Sequence, residues 1–515
     1  MAKPVFSFLV DFDGTGAFAT DVSSVVVSAD WQLGFTAPFD LMARDNTAQV
    51  VVQNVTRNFS PEYASGAYYG NLLPGRALKI TSTYASVTRT MWVGWISSYR
   101  PSVNVKGDRT CTLACTGWFE RAQRRESLIP IQLGQTADAV IGVILDESDI
   151  LPPGITGRWI LGVSTLGVST YLGAVTDYFS ALDTGDTTFA FAGDWDANTT
   201  VYSAVREMVE REGGRFWGSR AGILTFASRS YFPTHTTSVA TFADNMQSMD
   251  YIYGDDVSNI ITTNYEPRTT GSAGSTLATL AKSAAIAGLG SVDIEFRFVA
   301  AGVGGTVGAT ALVTPVTVTD FSANSQADGS GVDLTSYISV AIVSTTATAA
   351  TVRYTNAGSA SGFIQAASKL RGTPLTRFDG LAYTATDADS VLAYGRLAYT
   401  SPGVQDSLAD ATTLGDYQLS LRKDPVGRVD SVVWSGWDTA HTADMLTLTV
   451  GDRIVMTEQQ TQANGAWFIL GEAHSVSAGA YNVTWVLEDA GTILYWLLGT
   501  ATQSELGQTT ILGPL

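Results

Sequence analysis

The dominant pattern along this chain is short apolar runs and alternating stretches, set apart by turn-forming residues, which is the signature of strands rather than helices. Residues 1 to about 125 read as β throughout. Val5 to Val10 is a first apolar run, and Val25-Val26-Val27 and Val50-Val51-Val52 are β-branched runs with turn signals between them. Asn71 to Arg76 is a turn leading into a strand at Ala77 to Thr81. Met91 to Ile96 is another strand, and a further one lies within Val103 to Leu113.

Helical periodicity enters next. One helix is expected from about Thr136 to Asp146, capped by Thr136 with Asp138 in its first turn. A clearer one spans 201–212. Val201, Ala204, Val205, Met208 and Val209 make a buried stripe, Arg206, Glu207, Glu210 and Arg211 take the other side, and Gly213-Gly214 ends it. Arg215-Phe216-Trp217 and Ile223 to Phe226 then form a hairpin. Residues 270 to 370 are poor in charge and rich in Gly, Ala, Thr and Val. Their alternating runs Thr314 to Thr319, Ser339 to Ser344 and Thr351 to Tyr354 predict a small all-β sandwich, with a loop at Gly302 to Ala309. A third helix is expected at 407–421, before Asp424-Pro425, and a last β region at Val426 to Glu488.

An internal echo stands out. Gly75-Arg76 opens one strand and Gly94 lies in the next; Gly451-Asp452-Arg453 opens another and Gly471 follows. The paired glycines are 19 and 20 residues apart. Two similar β-modules flanking a mixed middle are therefore expected.

Composition narrows the function. At 515 residues the chain is too long for one core, so several domains are expected. Basic residues number 30 against 48 acidic ones, a net charge of −18. A nucleic-acid-gripping protein shows a basic stripe to neutralise phosphates. The densest basic cluster here is only Arg121, Arg124 and Arg125, better read as solvated. Cys111 and Cys115 share one alternating run, which separates their Cα atoms by roughly 13 Å, against the less than about 7 Å a disulfide needs. They read as small buried residues. His235, His441 and His474 offer no zinc spacing. No signal peptide or membrane-spanning segment is evident.

The sharpest catalytic signal is Val10-Asp11-Phe12-Asp13-Gly14-Thr15. It resembles the first motif of haloacid-dehalogenase-type phosphatases, in which the first Asp attacks phosphorus and the second is acid/base; Gly254-Asp255-Asp256-Val257-Ser258-Asn259 resembles their late acidic motif. That chemistry needs a parallel strand running into a helix. Here a triple valine follows, no strand–helix alternation develops, and no convincing lysine stands out among the six. Asp11 and Asp13 are instead expected to be a polar turn. A glycosidase pair of carboxylates cannot be singled out among 48 acids. Twelve tryptophans spread along the chain read as core and interface residues. No catalytic, cofactor or metal-binding residues are assigned, and no cofactor is expected.

The order of segments resembles the hub, or tail-associated, proteins of tailed bacteriophages. The segments are Thr20-Asp21-Val22, Val50 to Asn54 with Phe59-Ser60-Pro61, Tyr68 to Arg76, Val93-Gly94-Trp95-Ile96, Glu212 to Phe226, Tyr253 to Asn259, Tyr394-Gly395-Arg396, Asp424-Pro425 and Val450 to Arg453. They cover roughly 400 residues; 270 to 350 match least. The resemblance implies a mainly β fold with some α+β: two tube-like β-barrel modules flanking a helix-plus-hairpin module, with an inserted β-sandwich. The segments would be 1–125 for the first module, 126–265 for the α+β module, 266–375 for the insert, 376–490 for the second module and 491–515 for a C-terminal tail. It further implies a homotrimer at the virion tail tip, assembled in the host cytoplasm. Six modules would adapt a sixfold tube to a threefold tip, in contact with tail tube and distal tail proteins, a tape measure protein, and tail fibre or spike proteins. DNA would pass through without specific binding. A distal tail or receptor-binding adaptor is the alternative.

Overall fold

The computed structural model describes residues 3–515 except 104–108, 149, 152, 154–179, 196–197, 244–245, 299–305, 347, 436–440, 491–493, 496–509 and 512–515. Most of the expected tail, 491–515, therefore lies outside the described residues. The fold is mainly β, organised on one 13-stranded sheet. Its strands are β1 (Val5–Asp11), β2 (Thr20–Asp21), β3 (Val26–Gly34), β4 (Thr47–Gln53), β5 (Ala77–Tyr84), β6 (Val87–Pro101), β7 (Thr110–Thr116), β8 (Ala240–Ala243), β9 (Ser248–Tyr253), β10 (Gly427–Ser435), β11 (Arg453–Thr457), β12 (Gly465–Ser477) and β13 (Ala480–Asp489). The lateral order is β9-β10-β13-β12-β3-β4-β7-β6-β5-β1-β2, with β11 on β12 and β8 on β11.

Alternation decides which face is buried. Ala48, Val50 and Val52 on β4, Cys111, Leu113 and Cys115 on β7, and Tyr481, Val483, Trp485 and Leu487 on β13 all point into one core. Both cysteines are buried and free. The opposite face carries the polar partners of the same alternation, such as Gln49, Thr112, Asn482 and Thr484.

Two five-strand units repeat within this sheet, in the same chain order. β3, β4, β5, β6 and β7 correspond to β9, β10, β11, β12 and β13: each set is joined laterally as first–second–fifth–fourth–third. Gly75 N–H donates to Ile96 C=O and Ile96 N–H to Arg76 C=O; Gly451 N–H donates to Ile469 C=O and Ile469 N–H to Asp452 C=O. Gly75 (φ 87°) and Gly451 (φ 95°) share the left-handed conformation. A register shift follows each isoleucine, between Ile96 and Ser98 and between Ile469 and Gly471. The second half of the glycine echo is corrected by this register: Gly94 pairs with Leu78, whereas the matching position opposite Ile454 is Trp467. The similar glycine spacings do not mark matching positions; the repeat they pointed to is carried by Gly75/Gly451 and Ile96/Ile469.

The register exposes a second repeat in the sequence. Ala29 and Trp31 pair with Val50 and Ala48, and Met249 and Tyr251 pair with Val432 and Val429. Ser28-Ala29-Asp30-Trp31-Gln32-Leu33-Gly34 thus matches Ser248-Met249-Asp250-Tyr251-Ile252-Tyr253-Gly254, and both terminal glycines are left-handed (φ 86° and 83°).

Sheet membership cuts across the segments drawn from the sequence. β8 and β9, from 126–265, join the strands of the second unit. Residues 381–400 contribute two strands that flank Ile260–Tyr265 in a separate sheet, covered by the helix Leu408–Arg422 with Ser407 as its cap. The helices Ala137–Ser148 and Val201–Glu212 pack on each other in the large core. Thr200 caps the second, accepting from Ser203 N–H, and left-handed Gly213 ends it. Residues 268–377 form small sheets around their own core, including Ile286, Phe296, Val352, Tyr354 and Ile364. There the loop expected at Gly302 to Ala309 is strand from Thr306 on, and the alternating run Thr314 to Thr319 is a turn with Val318 at φ 68°. Alternation alone misled there, because only a paired edge makes a strand.

Gly34 is a left-handed glycine of the repeat packed hard against backbone. A Cβ there would sit 2.3 Å from Leu470 O and 2.9 Å from Gly471 Cα. Gly34→Ala should lower stability by well over the about 1–2 kcal/mol of left-handed strain alone. Gly16→Ala, equally left-handed but with open space around it, isolates that strain. Melting temperatures of the two variants check this; equal losses would refute the close approach.

Candidate functional site: the junction between the two units

β3 of the first unit pairs along β12 of the second, from Gly34 opposite Gly471 to Ser28 opposite Ser477. On the core side of this seam three rings lie nearly parallel. Trp31 stacks on His474 at 5.0 Å with planes 9° apart, and His474 on Tyr481 at 6.1 Å and 10°. Phe6 of β1 closes on both outer rings, at 5.8 Å from Trp31 and 4.9 Å from Tyr481.

Glu472, one alternate position from His474, is fully buried. Its partner comes from elsewhere: Arg220, in the turn of the hairpin Arg215–Gly218 and Leu224–Ala227, lies in the same core. Arg220 Nε donates to both Glu472 oxygens at 2.9 and 3.0 Å, and Nη2 also reaches the carboxylate. Nη1 donates to Leu446 O at 2.7 Å and Nη2 to Leu448 O at 2.6 Å, at the end of the helix Thr442–Thr447. Cationic donors there also suit the negative end of a helix. Thr449 Oγ1 donates to Glu472 at 3.0 Å.

His474 Nε2 lies 3.1 Å from Glu472 Oε2, and Nδ1 lies 3.1 Å from Tyr481 Oη. A neutral ring with its proton on Nε2 satisfies both contacts: it donates to the carboxylate and accepts from the phenol. Burial drives the His474 pKa below its ordinary value, with the Glu472 hydrogen bond opposing. For Glu472, burial pushes upward, but Arg220 and His474 together outweigh it and hold the carboxyl down at about 2.

Further ion pairs tie the helical middle to this junction and to the inserted residues. Arg215 grips Glu488 of β13 through contacts of 2.7 and 2.8 Å. Arg268 meets Asp194 at 2.9 Å and Asp406 at 3.2 Å, and Arg211 pairs with Asp406 in the same buried cluster. Glu212 accepts from Asp186 N–H and Thr187 N–H at 2.9 and 3.1 Å, and burial raises its pKa to about 7.

The acidic motifs are structural. Asp11 ends β1, which pairs antiparallel with β2 and β5. Its carboxylate accepts from the backbone N–H groups of Gly14, Thr15 and Gly16 at 2.8–3.1 Å, while Asp13 points to solvent. Asp255 and Asp256, after β9, are held by Arg428 of β10 at 2.9 and 2.5 Å. β1 and β9 lie near opposite ends of the strand order, so the sheet does not bring the two motifs together. Arg121 stacks on Trp95 at 3.8 Å and Arg124 pairs with Glu120, while Arg125 sits beside them without forming a patch of bare charge. His441 lies beside Phe242, and His235 stacks on Tyr231. Among the described residues no group of three or more His, Cys, Asp or Glu side chains is placed to hold a metal ion, and no helix is long and apolar enough to cross a membrane. Sequence reasoning missed Arg220 and Glu472. The available signal was Glu472 and His474 at inward-pointing positions of an otherwise apolar strand.

The fold and junction define a class: a mainly β chain with two tandem sheet units fused edge to edge, bearing a helical brace and a β-rich insertion. No sequence-family profile and no curated protein matches it. Solved structures with a likeness to it include a tail protein from Neisseria meningitidis MC58 (12% identity, 95% of this chain and 98% of that one, TM-score 0.49). Another is the 43 kDa tail protein of prophage MuSo2 from Shewanella oneidensis (8% identity, 95% and 99%, TM-score 0.47). A third is the E. coli c3393 protein, a component of the type VI secretion system that exhibits structural similarity to T4 bacteriophage tail proteins gp27 and gp5 (8% identity, 95% and 77%, TM-score 0.38).

Glu472→Gln leaves Arg220 buried without its counter-charge and should cost about 3–5 kcal/mol, read as a fall in melting temperature. Two of the buried groups act on the pH dependence in opposite senses. His474, with its folded pKa lowered, adds stability as pH rises through about 6.5, where the unfolded ring loses its proton. Glu212, with its folded pKa raised, loses stability as pH rises from about 4.5 to about 7. His474→Gln should therefore move the stability optimum to lower pH, and Glu212→Gln to higher pH. Melting curves across that range check both signs.

Proposed function

We propose that this chain is a non-enzymatic structural hub of a phage tail tip. Three copies would place six β-units in a ring that adapts a sixfold tail tube to a threefold tip. The supporting observation is the internal repeat: two units in the same strand order, with β3 of one laid along β12 of the other so that their sheets run on without a gap. A chain that already fuses two neighbouring units as a ring would need them is half-way to presenting six from three copies. Distal tail proteins and the tube would dock on the rims of such a ring, with tape measure and fibre or spike proteins as further partners.

The polar face of the seam fits a passage for DNA. Gln32, Gln49, Thr112, Ala473, Asn482 and Thr484 are uncharged, and Asp30 adds an acid. Arg100, opposite Thr112, is a cation on the same face, but the lining is otherwise uncharged or acidic and offers phosphates little to grip. A distal tail or receptor-binding adaptor uses the same materials at a different symmetry, and imaging of the protein bound to tail tubes separates three from six.

Sedimentation or native mass measurement should give three times the 54.5 kDa chain mass. A monomer with no affinity for tail tubes would sink the hub reading. A generic phosphoester should remain intact with both the wild type and Asp11→Asn; hydrolysis by the wild type alone would restore the phosphatase reading.

A further inference from the structure

The repeat leaves one seam unmade. β3 is paired on both edges, by β4 and β12. Among the described residues its counterpart β9 is paired on one edge only, by β10, and ends the strand order. Conversely, β12 receives β3 along Gly471–Ser477, beyond the stretch that β11 occupies. On β6 the matching stretch begins at Ser98, beyond the stretch that β5 occupies, and among the described residues no strand lies on that edge.

From this we infer that the free edge of β9 docks on the free edge of β6 in a second copy of this chain, repeating between molecules the seam that β3 and β12 make within one. The inference deepens the ring reading by naming the surfaces that would close it. Transferring the internal register gives the pairs. Leu33–Glu472 becomes Tyr253–Tyr99, Gln32–Ala473 becomes Ile252–Arg100, and Trp31–His474 becomes Tyr251–Pro101. Unpaired edges are templates for another strand, and an extended strand adds to them through main-chain hydrogen bonds.

Three further observations fit that occupant. Within the internal seam Gly471, Glu472 and His474 on β12 are buried, whereas their counterparts on β6 are half-buried (Ser98 and Tyr99) or exposed (Pro101). Large apolar side chains stand uncovered beside both edges: Tyr253 is 67% exposed and Val103 97%. Charge also matches, since Arg100 would face Ile252 with exposed Asp250 two residues along the same face, within reach of a diagonal cross-strand pair. Pro101 has no N–H to offer, so the main-chain pairing is confined to the few residues before it. Because the two surfaces differ, the contact is head-to-tail and propagates around a ring rather than closing a twofold dimer.

Cysteine pairing tests the register. Arg100 and Ile252 would face each other at a non-hydrogen-bonded position, where Cα atoms lie about 4.5 Å apart, within disulfide range. Cys111 and Cys115 are buried and do not compete. Under mild oxidation, Arg100→Cys chains mixed with Ile252→Cys chains should give mixed covalent dimers and no like-with-like dimers. The double variant should give a closed three-chain product in a denaturing gel, with circular dichroism confirming that each variant is folded. A trimer by mass whose mixed variants stay uncrosslinked overturns this seam and leaves the hub reading standing. A crosslinked ring of another size upholds the seam and overturns the trimer. Like-with-like dimers, or a wild type that stays monomeric, overturn the seam.

Discussion

The molecule turns on the burial of Glu472 against Arg220. A carboxylate at a fully buried position of a central strand is tolerable only when a cation and several donors meet it there. Those groups arrive from three places: the hairpin turn brings Arg220, the loop before β11 brings Thr449, and β12 itself brings His474. Arg220 in turn caps the carbonyls of Leu446 and Leu448. The pair is thus a positional lock. The hairpin must sit over the seam, the helix Thr442–Thr447 must end beside it, and β12 must hold its inward phase, or a full charge is left alone in the core. A hydrophobic pair of similar volume could be as stable, but it would not fix where three separate segments meet.

Much of the architecture was legible in the residues, for reasons that were local. The helix Val201–Glu212 combines an apolar stripe, a Thr cap and a Gly stop, all within a few residues of one another. The first-unit strands announce themselves by β-branched runs. Asp11 reads as a turn because the chain that follows it is strand. What stayed hidden was pairing. Ser28–Gly34 and Ser248–Gly254 share Ser, Asp, an aromatic and a left-handed Gly, yet more than two hundred residues separate them and nothing in either stretch declares its neighbours. The spacing in the glycine echo has no structural meaning, because Gly94 and Gly471 do not occupy matching positions. Arg220 and Glu472 are likewise invisible as a pair until the sheet sets their register. The run Thr314 to Thr319 alternates without an edge to join.

The long insertion also acquires a place. The second unit follows the strand order of the first, but residues 255–426 are spliced in after Gly254, where the first unit has only the short loop from Phe35 to Asn46. That splice carries the small β core around Val352 and Tyr354 and the helix Leu408–Arg422. The arginine contacts Arg428–Asp256 and Arg215–Glu488 stand near its two ends, and Arg268–Asp194 and Arg211–Asp406 fasten it to the helical middle. A large excursion from a left-handed glycine adds little entropy to closing the loop, since that penalty grows only with the logarithm of length.

The same splice sets a timetable for synthesis. As the chain emerges, β3 to β7 can condense early, since their partners are close in sequence. β9 cannot find β10 until residues 427–435 have been made, and the outer edge of β3 stays open until 471–477 follow. Contacts of such long range are slow to form. The nascent first unit therefore waits with a bare strand edge, the kind of surface that invites misassociation with neighbouring chains on the same message. β12, which covers it, is made more than four hundred residues after β3.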